Sequence, residues 1–284
     1  MSVVVVTDST ASLPPEVAAA HGIIVVPLQV VIGAHAYDEG APEAAPEKVA
    51  EALREFRPVS TSRPAPRVIL DAYERAAAAG AKQIVSVHIS GDMSGTFESA
   101  QLAARDAPVR VICVDSRQVG VATGYAALAA ADALVGGGSV EFAADAARRR
   151  ADACSSLFYV DTLEYLRRGG RIGAAAALFG GALAVKPLLR IEDGVVASLE
   201  KVRTTGRALA RLEELAVAAA GDQPIDLCVA HLANPERAGV LAEQLTTRLA
   251  DNLHGREVWC GELGAVLGAH VGPGMIAVCV APRV

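Results

Sequence analysis

Aromatic side chains are scarce in this sequence, with one Trp, five Tyr and five Phe among 284 residues. A packed core must therefore be built from Ala, Val, Leu and Ile, and residues of the AVILMFWYC set make up 52% of the chain. An excess of positive charge is also missing, because the formal net charge is −6. This balance argues against a nucleic acid or an anionic membrane surface as the main partner, since both require a clustered positive field.

Signatures of disulfides and metal sites are absent as well. The cysteines are odd in number, widely spaced and without a C-x-x-C pair, and most sit in apolar runs: Cys113, Cys154, Cys228, Cys260 and Cys279. Buried, reduced thiols of a cytosolic protein explain them most simply. The six histidines lack H-x-x-x-H and H-E-x-x-H spacing, so no metal site is expected.

Targeting and membrane-spanning segments are not predicted either. The apolar run Val3–Val6 follows no basic segment and stops at Thr7, which does not fit a signal peptide. The longest weakly polar segment, residues 174–185, is interrupted by two glycines and falls short of the roughly 20 residues that a spanning helix needs. We therefore expect a cytoplasmic protein.

Apolar runs typical of buried strands alternate with helical patterns through residue 150. This alternation predicts a mainly parallel sheet with helices on both faces, which is a three-layer α/β/α arrangement. In the second half, Asp193-Gly194 between two short apolar runs is a hairpin signal and predicts a mixed sheet. We expect an N-terminal α/β domain over residues 1–153 and a C-terminal α/β domain over residues 154–284.

Residues 87–100 pass from an apolar run into small polar residues and then into an amphipathic pattern. Gly91 and Gly95 would let backbone approach a ligand, and Ser94 and Thr96 fall where the first turn of a predicted helix leaves amides unpaired. Such a turn suits a carboxylate or a phosphate. The alternative is that the two hydroxyls act only as helix N-caps.

Two further stretches have a similar polar character. Residues 58–66 combine proline with hydroxyl side chains and are predicted as a loop. His270 stands directly before Val-Gly-Pro-Gly, a predicted loop whose glycines would bring backbone close to a ligand. A ligand contact and a structural role are equally open for His270.

Enzymatic patterns are weak. The sequence contains no G-x-x-x-x-G-K-[ST] phosphate-binding loop. A serine hydrolase would use Ser94 as nucleophile, His270 or His88 as base and Asp115 to orient it. However, residues 92–96 do not match the G-x-S-x-G motif of α/β-hydrolases. Without that motif, this triad is only one of many combinations of the Ser, His and Asp residues in the sequence.

A series of short motifs nevertheless runs in order along nearly the whole chain: Asp8-Ser9-Thr10, Pro27-Leu28, Tyr37-Asp38, Thr61-Ser62-x-Pro64, Ser94-Gly95-Thr96, Asp115-Ser116, Asp161-Thr162-Leu163-Glu164-Tyr165-Leu166, Gly169-Gly170-Arg171, Lys186-Pro187, Lys201-Val202-Arg203 and His270-Val271-Gly272-Pro273-Gly274. Together these motifs resemble the DegV family. The resemblance implies a two-domain α/β protein that holds one long-chain fatty acid, such as palmitate, stearate or oleate, in a buried tunnel between the domains. FakB-like members present this ligand to a separate fatty acid kinase, FakA, which phosphorylates the carboxyl group.

The resemblance also implies roles for individual residues. Thr61, Ser94 and His270 would bind the fatty-acid carboxylate, without a cofactor and without catalytic residues in this chain. Arg203 would help to dock a FakA-like kinase. Further positions would contribute to the site or support it: Ser62, Gly95, Thr96, Arg171 and Gly272. For Arg171 and Arg203 the alternative interpretation is a tight turn and a charged strand end.

Two departures from the family pattern stand out. Arg63 and Ala65 occupy positions where the family usually has glutamine and serine, and Phe97 replaces a common tyrosine. Arg63 would either add a charge for the carboxylate or face solvent. The other functions that remain open are a Ser94 hydrolase, a small-molecule phosphotransferase and a regulatory module that senses a lipid.

Overall fold

The computed structural model describes residues 2–178 and 186–283. The strands are β1 (Val3–Asp8), β2 (Ile24–Val26), β3 (Gln29–Ile32), β4 (His35–Asp38), β5 (Val59–Ser62), β6 (Gln83–His88), β7 (Arg110–Asp115), β8 (Ser155–Tyr159), β9 (Lys186–Glu192), β10 (Val195–Val202), β11 (Ile225–His231), β12 (Trp259–Glu262) and β13 (Ile276–Pro282). The helices are α1 (Pro15–Ala20), α2 (Pro46–Arg54), α3 (Pro66–Ala78), α4 (Thr96–Asp106), α5 (Val121–Val135), α6 (Val140–Ala153), α7 (Glu164–Arg168), α8 (Thr205–Ala220), α9 (Pro235–Arg248), α10 (Ala250–Leu253) and α11 (Ala265–Val271).

The chain divides into two compact units. Unit 1 contains the residues up to Gln29 together with Ser62–Asp152, and unit 2 contains Val30–Thr61 together with the residues from Ala153 onward. The segment Val30–Thr61, which the sequence interpretation counted with the N-terminal half, thus groups with unit 2. The domain boundaries at 153 and 154 stay a prediction.

Unit 1 is built on a four-stranded sheet in the order β2-β1-β6-β7. All three strand pairs are parallel. One face packs Val5, Val85 and Val114 against the alanines of α5 and α6, and the other packs Val6 and Ile84 against α3 and α4. This arrangement confirms the predicted parallel sheet with helices on both faces.

Unit 2 contains a six-stranded sheet in the order β10-β9-β8-β13-β11-β12. Its pairs are antiparallel except for the parallel pair of β11 and β12, so the predicted mixed sheet is confirmed. The hairpin between β9 and β10 turns at Asp193 and Gly194, with φ of 51° and 82°, as the Asp-Gly signal predicts. Leu212, Leu227 and Leu241 join α8, α9 and the sheet in one apolar core.

One apolar run is divided between two sheets, and one predicted loop contains a strand. The apolar run 23–32 is divided at Pro27, which lacks an amide for a sheet, so β2 joins the parallel sheet while β3 joins a three-stranded sheet in the order β4-β3-β5. Residues 58–66 were predicted as a loop, but Thr61 lies within β5. The partner strand β3 is distant in sequence, and for this reason local patterns do not reveal the pairing.

His270 was predicted to lie on a loop, and this prediction is wrong. It lies in the last turn of α11, which ends at Val271 with Gly272 as its C-cap. Gly272 has φ 77° and ψ 167°, a conformation that is nearly restricted to glycine. The Val-Gly-Pro-Gly motif therefore terminates a helix, and its histidine is held by helical backbone.

The five cysteines form no disulfide. Cys154, Cys228 and Cys279 are buried, as expected for thiols in apolar runs, and Cys113 is half-buried. Cys260 is exposed because it lies on β12 at the edge of the mixed sheet.

No helix in the described ranges, 2–178 and 186–283, combines the length and the apolar character needed to cross a membrane. Residues 179–185 of the weakly polar segment noted in the sequence lie outside the described residues.

Candidate functional site

The structure brings two of the three predicted carboxylate ligands together in unit 2. Thr61 Oγ1 and His270 Nε2 lie 2.8 Å apart. Burial and, to a lesser extent, the positive charge of Arg171 together lower the pKa of His270 from 6.5 to about 4. The imidazole is therefore neutral at neutral pH and has a single N–H to donate.

The surroundings of the ring indicate which nitrogen carries this proton. Nδ1 of His270 is buried and has no hydrogen-bond partner among the residues that the structure describes. A buried N–H without an acceptor is rarer in proteins than a buried acceptor without a donor, and a nearby guanidinium favours a bare lone pair. We infer that Nε2 carries the proton and donates it to Thr61 Oγ1. The hydroxyl hydrogen of Thr61 is then free for another acceptor.

Glycines allow the unusually close packing around His270. A Cβ atom on Gly169 would lie 2.1 Å from His270 Nδ1, and a Cβ atom on Gly272 would lie 2.0 Å from the ring of Tyr165. Arg171 donates a hydrogen bond to the carbonyl oxygen of Gly169. Of the predicted supporting residues, Arg171 thus lies close enough to affect the imidazole by its charge, and Gly272 ends the helix that carries it.

The third predicted ligand, Ser94, lies in unit 1 on the turn between β6 and α4. Four backbone amides of this turn, those of residues 91–94, have acceptors within the unit. Gly91 N–H donates to the carboxylate of Asp115, Asp92 N–H donates to Ser90 Oγ, and the next two amides donate to the carbonyl oxygen of Ser90. These four amides are therefore not free to bind an anion.

The hydroxyl groups of Ser94 and Thr96 form a pair. Ser94 Oγ lies 2.8 Å from Thr96 Oγ1 and accepts a hydrogen bond of 3.3 Å from the Thr96 amide. The N-cap position of α4 is Gly95, so Ser94 lies one residue before it, and its Oγ accepts the amide of the first helical residue, Thr96. Thr96 is buried and Ser94 is half-buried. With Thr96 as donor to Ser94, the Ser94 hydroxyl can donate to a ligand.

Arg63 packs directly on this turn. Its Nη1 donates to the carbonyl oxygen of Gly95 at 3.2 Å and to Glu98 Oε2 at 2.7 Å. A Cβ atom on Gly95 would lie 1.9 Å from Nη1, so Gly95 is what admits the guanidinium. Arg63 is therefore exposed, as one of the two alternatives predicted, but its charge is paired with Glu98. Ser62 is exposed, and its hydroxyl donates to the carbonyl oxygen of Arg63 at 3.2 Å.

Arg203, the predicted docking residue, follows β10 directly. It is exposed, and no described residue forms an ion pair or a side-chain hydrogen bond with it. Its guanidinium is therefore available to a partner as far as the described chain is concerned.

A buried polar chain in unit 1 was not anticipated from the sequence. Tyr73 donates to Ser86 Oγ at 2.8 Å, Ser86 Oγ lies 2.7 Å from His88 Nε2, and His88 Nδ1 lies 2.9 Å from Asp8 Oδ2. All four residues are fully buried. Asp8 also accepts the amide of Ile89. Ser86 and His88 are two residues apart on β6 and therefore lie on one face of the sheet, beside Asp8 at the end of β1. This spacing was the signal in the sequence that could have indicated the polar cluster.

The hydrogen-bonded series of Ser86, His88 and Asp8 has the order of a Ser-His-Asp triad, but all three residues are fully buried. It also argues against the version of the hydrolase alternative that uses His88 as base, because both ring nitrogens of His88 are engaged by Ser86 and Asp8. Asp115 binds the amides of Gly91 and Arg117. The arrangement that a Ser94 nucleophile would need within unit 1 is not formed.

Comparison with known proteins identifies the family of this chain. A family model described as "Uncharacterised protein, DegV family" matches residues 2–283. The chain belongs to the DegV family. A DegV domain-containing protein of Streptomyces coelicolor is 53% identical over 284 residues, which cover 99% of both chains. Protein DegV of Bacillus subtilis is 33% identical over 284 residues, covering 98% of this chain and 99% of its own.

Solved structures of the DegV family share this fold. The structure described as "Fatty Acid Binding of a DegV family Protein from Thermus thermophilus" has a TM-score of 0.92 at 33% identity and full coverage of both chains. The structure of DegV from Bacillus subtilis, described as a fatty acid binding protein, has a TM-score of 0.90 at 32% identity, again with full coverage. The α/β fold that the motifs implied is thus confirmed.

Among the described residues no group of three or more His, Cys, Asp or Glu side chains is arranged to hold a metal ion.

Proposed function

We propose that this DegV-family protein binds one long-chain fatty acid, with palmitate, stearate and oleate as the expected range, in a buried tunnel. The observation that carries the proposal is the bond between Thr61 and His270, 2.8 Å long. A neutral imidazole that donates to Thr61 leaves the threonine hydroxyl as a donor, and a carboxylate has only acceptors to offer. The Thermus thermophilus and Bacillus subtilis relatives, both described as fatty-acid binding, support the choice of ligand.

Ser94 supplies a second hydroxyl to the carboxylate in this proposal. Its Oγ can accept from Thr96 and still donate outward. The acyl chain would provide most of the affinity, because each buried methylene contributes about 0.8 kcal/mol, or roughly 11 kcal/mol for fourteen before the costs of binding. Hydrogen bonds to the charged head add about 1.5–3 kcal/mol each and decide which end of the lipid is held. Arg171 supports the site through His270 rather than by touching the ligand.

We further propose that the protein is a cytoplasmic carrier and not an enzyme. It would present the bound carboxyl group to a FakA-like kinase, which would form the acyl phosphate, and Arg203 would contribute to docking. The guanidinium of Arg203, which is exposed and pairs with no residue in the described ranges, fits a contact with an acidic surface.

The first experiment identifies the ligand. Protein purified from cells is denatured, and the released lipid is quantified by mass spectrometry. We expect about one long-chain fatty acid per chain, and reduced occupancy in the double variant Thr61→Ala, Ser94→Ala with the fold retained by circular dichroism. A protein free of lipid that also fails to take up oleate would contradict the proposal.

The second experiment addresses the kinase. A FakA-like kinase and ATP are added to the oleate-loaded protein, and acyl phosphate is measured as the hydroxamate. Arg203→Ala should raise the carrier concentration needed for half-maximal rate, whereas Lys48→Ala, which removes an exposed cation on α2, should not. Absence of acyl phosphate with a kinase active on other carriers would favour a lipid-sensing module instead.

A further inference from the structure

Helix α11, which carries His270, is capped by a residue far away in the chain. Its N-cap is Gly264, which has no side chain to offer. Glu39 Oε1 instead accepts the amide of Val266 at 2.8 Å, across 227 positions of sequence. Val266 is the second residue of the helix, and its amide is one that an N-cap side chain ordinarily satisfies. Glu39 therefore performs the capping from outside the helix.

The glycine at the N-cap is explained by the space that Glu39 occupies. A Cβ atom on Gly264 would lie 2.5 Å from Glu39 Oε1 and 3.2 Å from its carboxyl carbon. The backbone angles of Gly264, φ −58° and ψ 156°, are accessible to any residue. Glycine is thus needed at position 264 to leave room for the Glu39 carboxylate, and not for the backbone conformation. The cap that a side chain at the N-cap would provide is provided by the distant Glu39 instead.

The consequence for His270 follows from the length of the helix. α11 has seven residues, so His270 lies only one turn after Val266 and no helix interior separates the cap from the imidazole. Short helices depend on their end contacts because propagation adds few hydrogen bonds. A negative charge at the first turn is also favoured by the helix dipole.

We propose that Glu39 is a positioning residue for His270: by capping α11 it holds the imidazole in register with Thr61. Its effect on ligand affinity rests on the proposed function, in which this pair binds a fatty-acid carboxylate. Glu39 does not touch the ligand. The chain thereby couples the turn after β4 to the binding site through one hydrogen bond.

The test uses a cycle of four proteins: the parent, Glu39→Ala, Gly264→Ser and the double variant. Glu39→Ala removes the cap, and we expect oleate affinity to fall about fivefold to tenfold, together with faster hydrogen exchange of the α11 amides in the ligand-free protein. Gly264→Ser alone should also be harmful, because its Cβ displaces Glu39. In the Glu39→Ala background the same serine has room and can cap Val266 itself, so it should restore both properties.

Two further variants separate positioning from general stability. Glu39→Gln keeps an acceptor at the Val266 amide and should stay within about twofold of the parent in affinity. Glu43→Ala removes an exposed carboxylate of the same segment and serves as the matched control. The imidazole NMR signals of His270 should shift in Glu39→Ala and return in the double variant.

The outcomes distinguish this proposal from the function on which it rests. If the parent does not bind oleate, the proposed function fails, while hydrogen exchange and the His270 signals still report on the cap. If Glu39→Ala leaves the exchange of α11 and the His270 signals unchanged, or if Gly264→Ser is harmful in both backgrounds, the positioning role of Glu39 is wrong.

Discussion

The hydroxyl of Thr61 and Nε2 of His270 lie 2.8 Å apart, although 209 positions separate the two residues in sequence. The bond joins a short strand to the last turn of a two-turn helix, and the second ring nitrogen is buried against Gly169. Because the imidazole is neutral, Thr61 and His270 offer a ligand a hydrogen-bond donor but no positive charge. Recognition of a carboxylate by such a pair depends on the direction of one hydroxyl hydrogen.

Removal of that hydroxyl should weaken binding without unfolding the protein. Thr61→Val keeps the shape of the side chain and its preference for a strand, but loses one hydrogen bond to a charged group, which is worth about 1.5–3 kcal/mol. We expect the dissociation constant for oleate to rise at least about tenfold by titration calorimetry. Thr61→Ser retains the hydroxyl and is the matched control. Equal affinity of the valine variant and the parent would remove Thr61 from the site.

The low pKa of His270 predicts a pH dependence of stability. In the unfolded chain the imidazole has its ordinary pKa of 6.5, whereas in the folded protein the pKa is about 4. Between these values the unfolded state binds a proton that the folded state does not, so the free energy of unfolding falls as the pH decreases. The loss should begin near pH 6.5 and be complete below about pH 4.

His270→Gln isolates this effect, because His231 also has a lowered pKa and contributes to the same curve. Glutamine keeps an N–H donor but does not titrate. Relative to this variant, the parent should lose about 2 kcal/mol of unfolding free energy between pH 7.5 and pH 4.5 in urea titrations. Parallel pH profiles of the two proteins would contradict a buried neutral imidazole.

The parts of the fold that follow from local patterns could be predicted, and those that depend on distant partners could not. The apolar runs of β1 and β6 indicate buried parallel strands, and Asp193-Gly194 indicates a hairpin. The strand that contains Thr61 pairs with β3, and the helix that contains His270 is capped by Glu39. Both contacts lie outside any local window, so these stretches were interpreted as loops.

The residues of the candidate site could be predicted from the sequence, but their charge and their hydrogen bonds could not. Motif order pointed to Thr61, Ser94 and His270. Whether His270 is charged depends on its burial and on Arg171, and whether Ser94 caps α4 depends on where the helix begins. Each of these is a property of packing rather than of sequence spacing.

Two glycines should respond in opposite ways to alanine. Gly272 has φ 77°, and a Cβ atom there would lie 2.0 Å from the Tyr165 ring, so Gly272→Ala should cost about 2–4 kcal/mol of unfolding free energy. Gly239 lies in the middle of α9 with no atom within 4 Å of a new Cβ. Gly239→Ala should therefore stabilise the protein by about 0.5–1 kcal/mol. Urea titration of the two variants measures both signs, and destabilisation by Gly239→Ala of the same size as by Gly272→Ala would refute this account.

Two buried serines provide a test of the polar chain in unit 1. Ser86 accepts from Tyr73, whose pKa is raised by burial so that it keeps its proton, and bonds to His88. Ser86→Ala leaves two buried polar atoms without this partner and should cost about 2–4 kcal/mol, since each unsatisfied atom costs about 1–3 kcal/mol. Ser99 is also buried, but its hydroxyl has no hydrogen-bond partner among the described residues. Ser99→Ala should be neutral or stabilise the protein by up to about 1 kcal/mol, because alanine also favours the helix.

The same pair of variants separates a structural chain from a hidden hydrolase. If the buried hydrogen bonds of Ser86 only stabilise the sheet, Ser86→Ala should bind oleate like the parent at a temperature where both proteins are folded. Neither protein should then hydrolyse a generic ester. Ester turnover by the parent that is lost in Ser86→Ala would instead assign the buried serine a chemical role. Equal unfolding free energies for Ser86→Ala and Ser99→Ala would mean that the hydrogen bonds of the chain contribute nothing net. The fully buried positions of Ser86, His88 and Asp8 favour the structural outcome, because an ester cannot reach a hydroxyl that water does not reach.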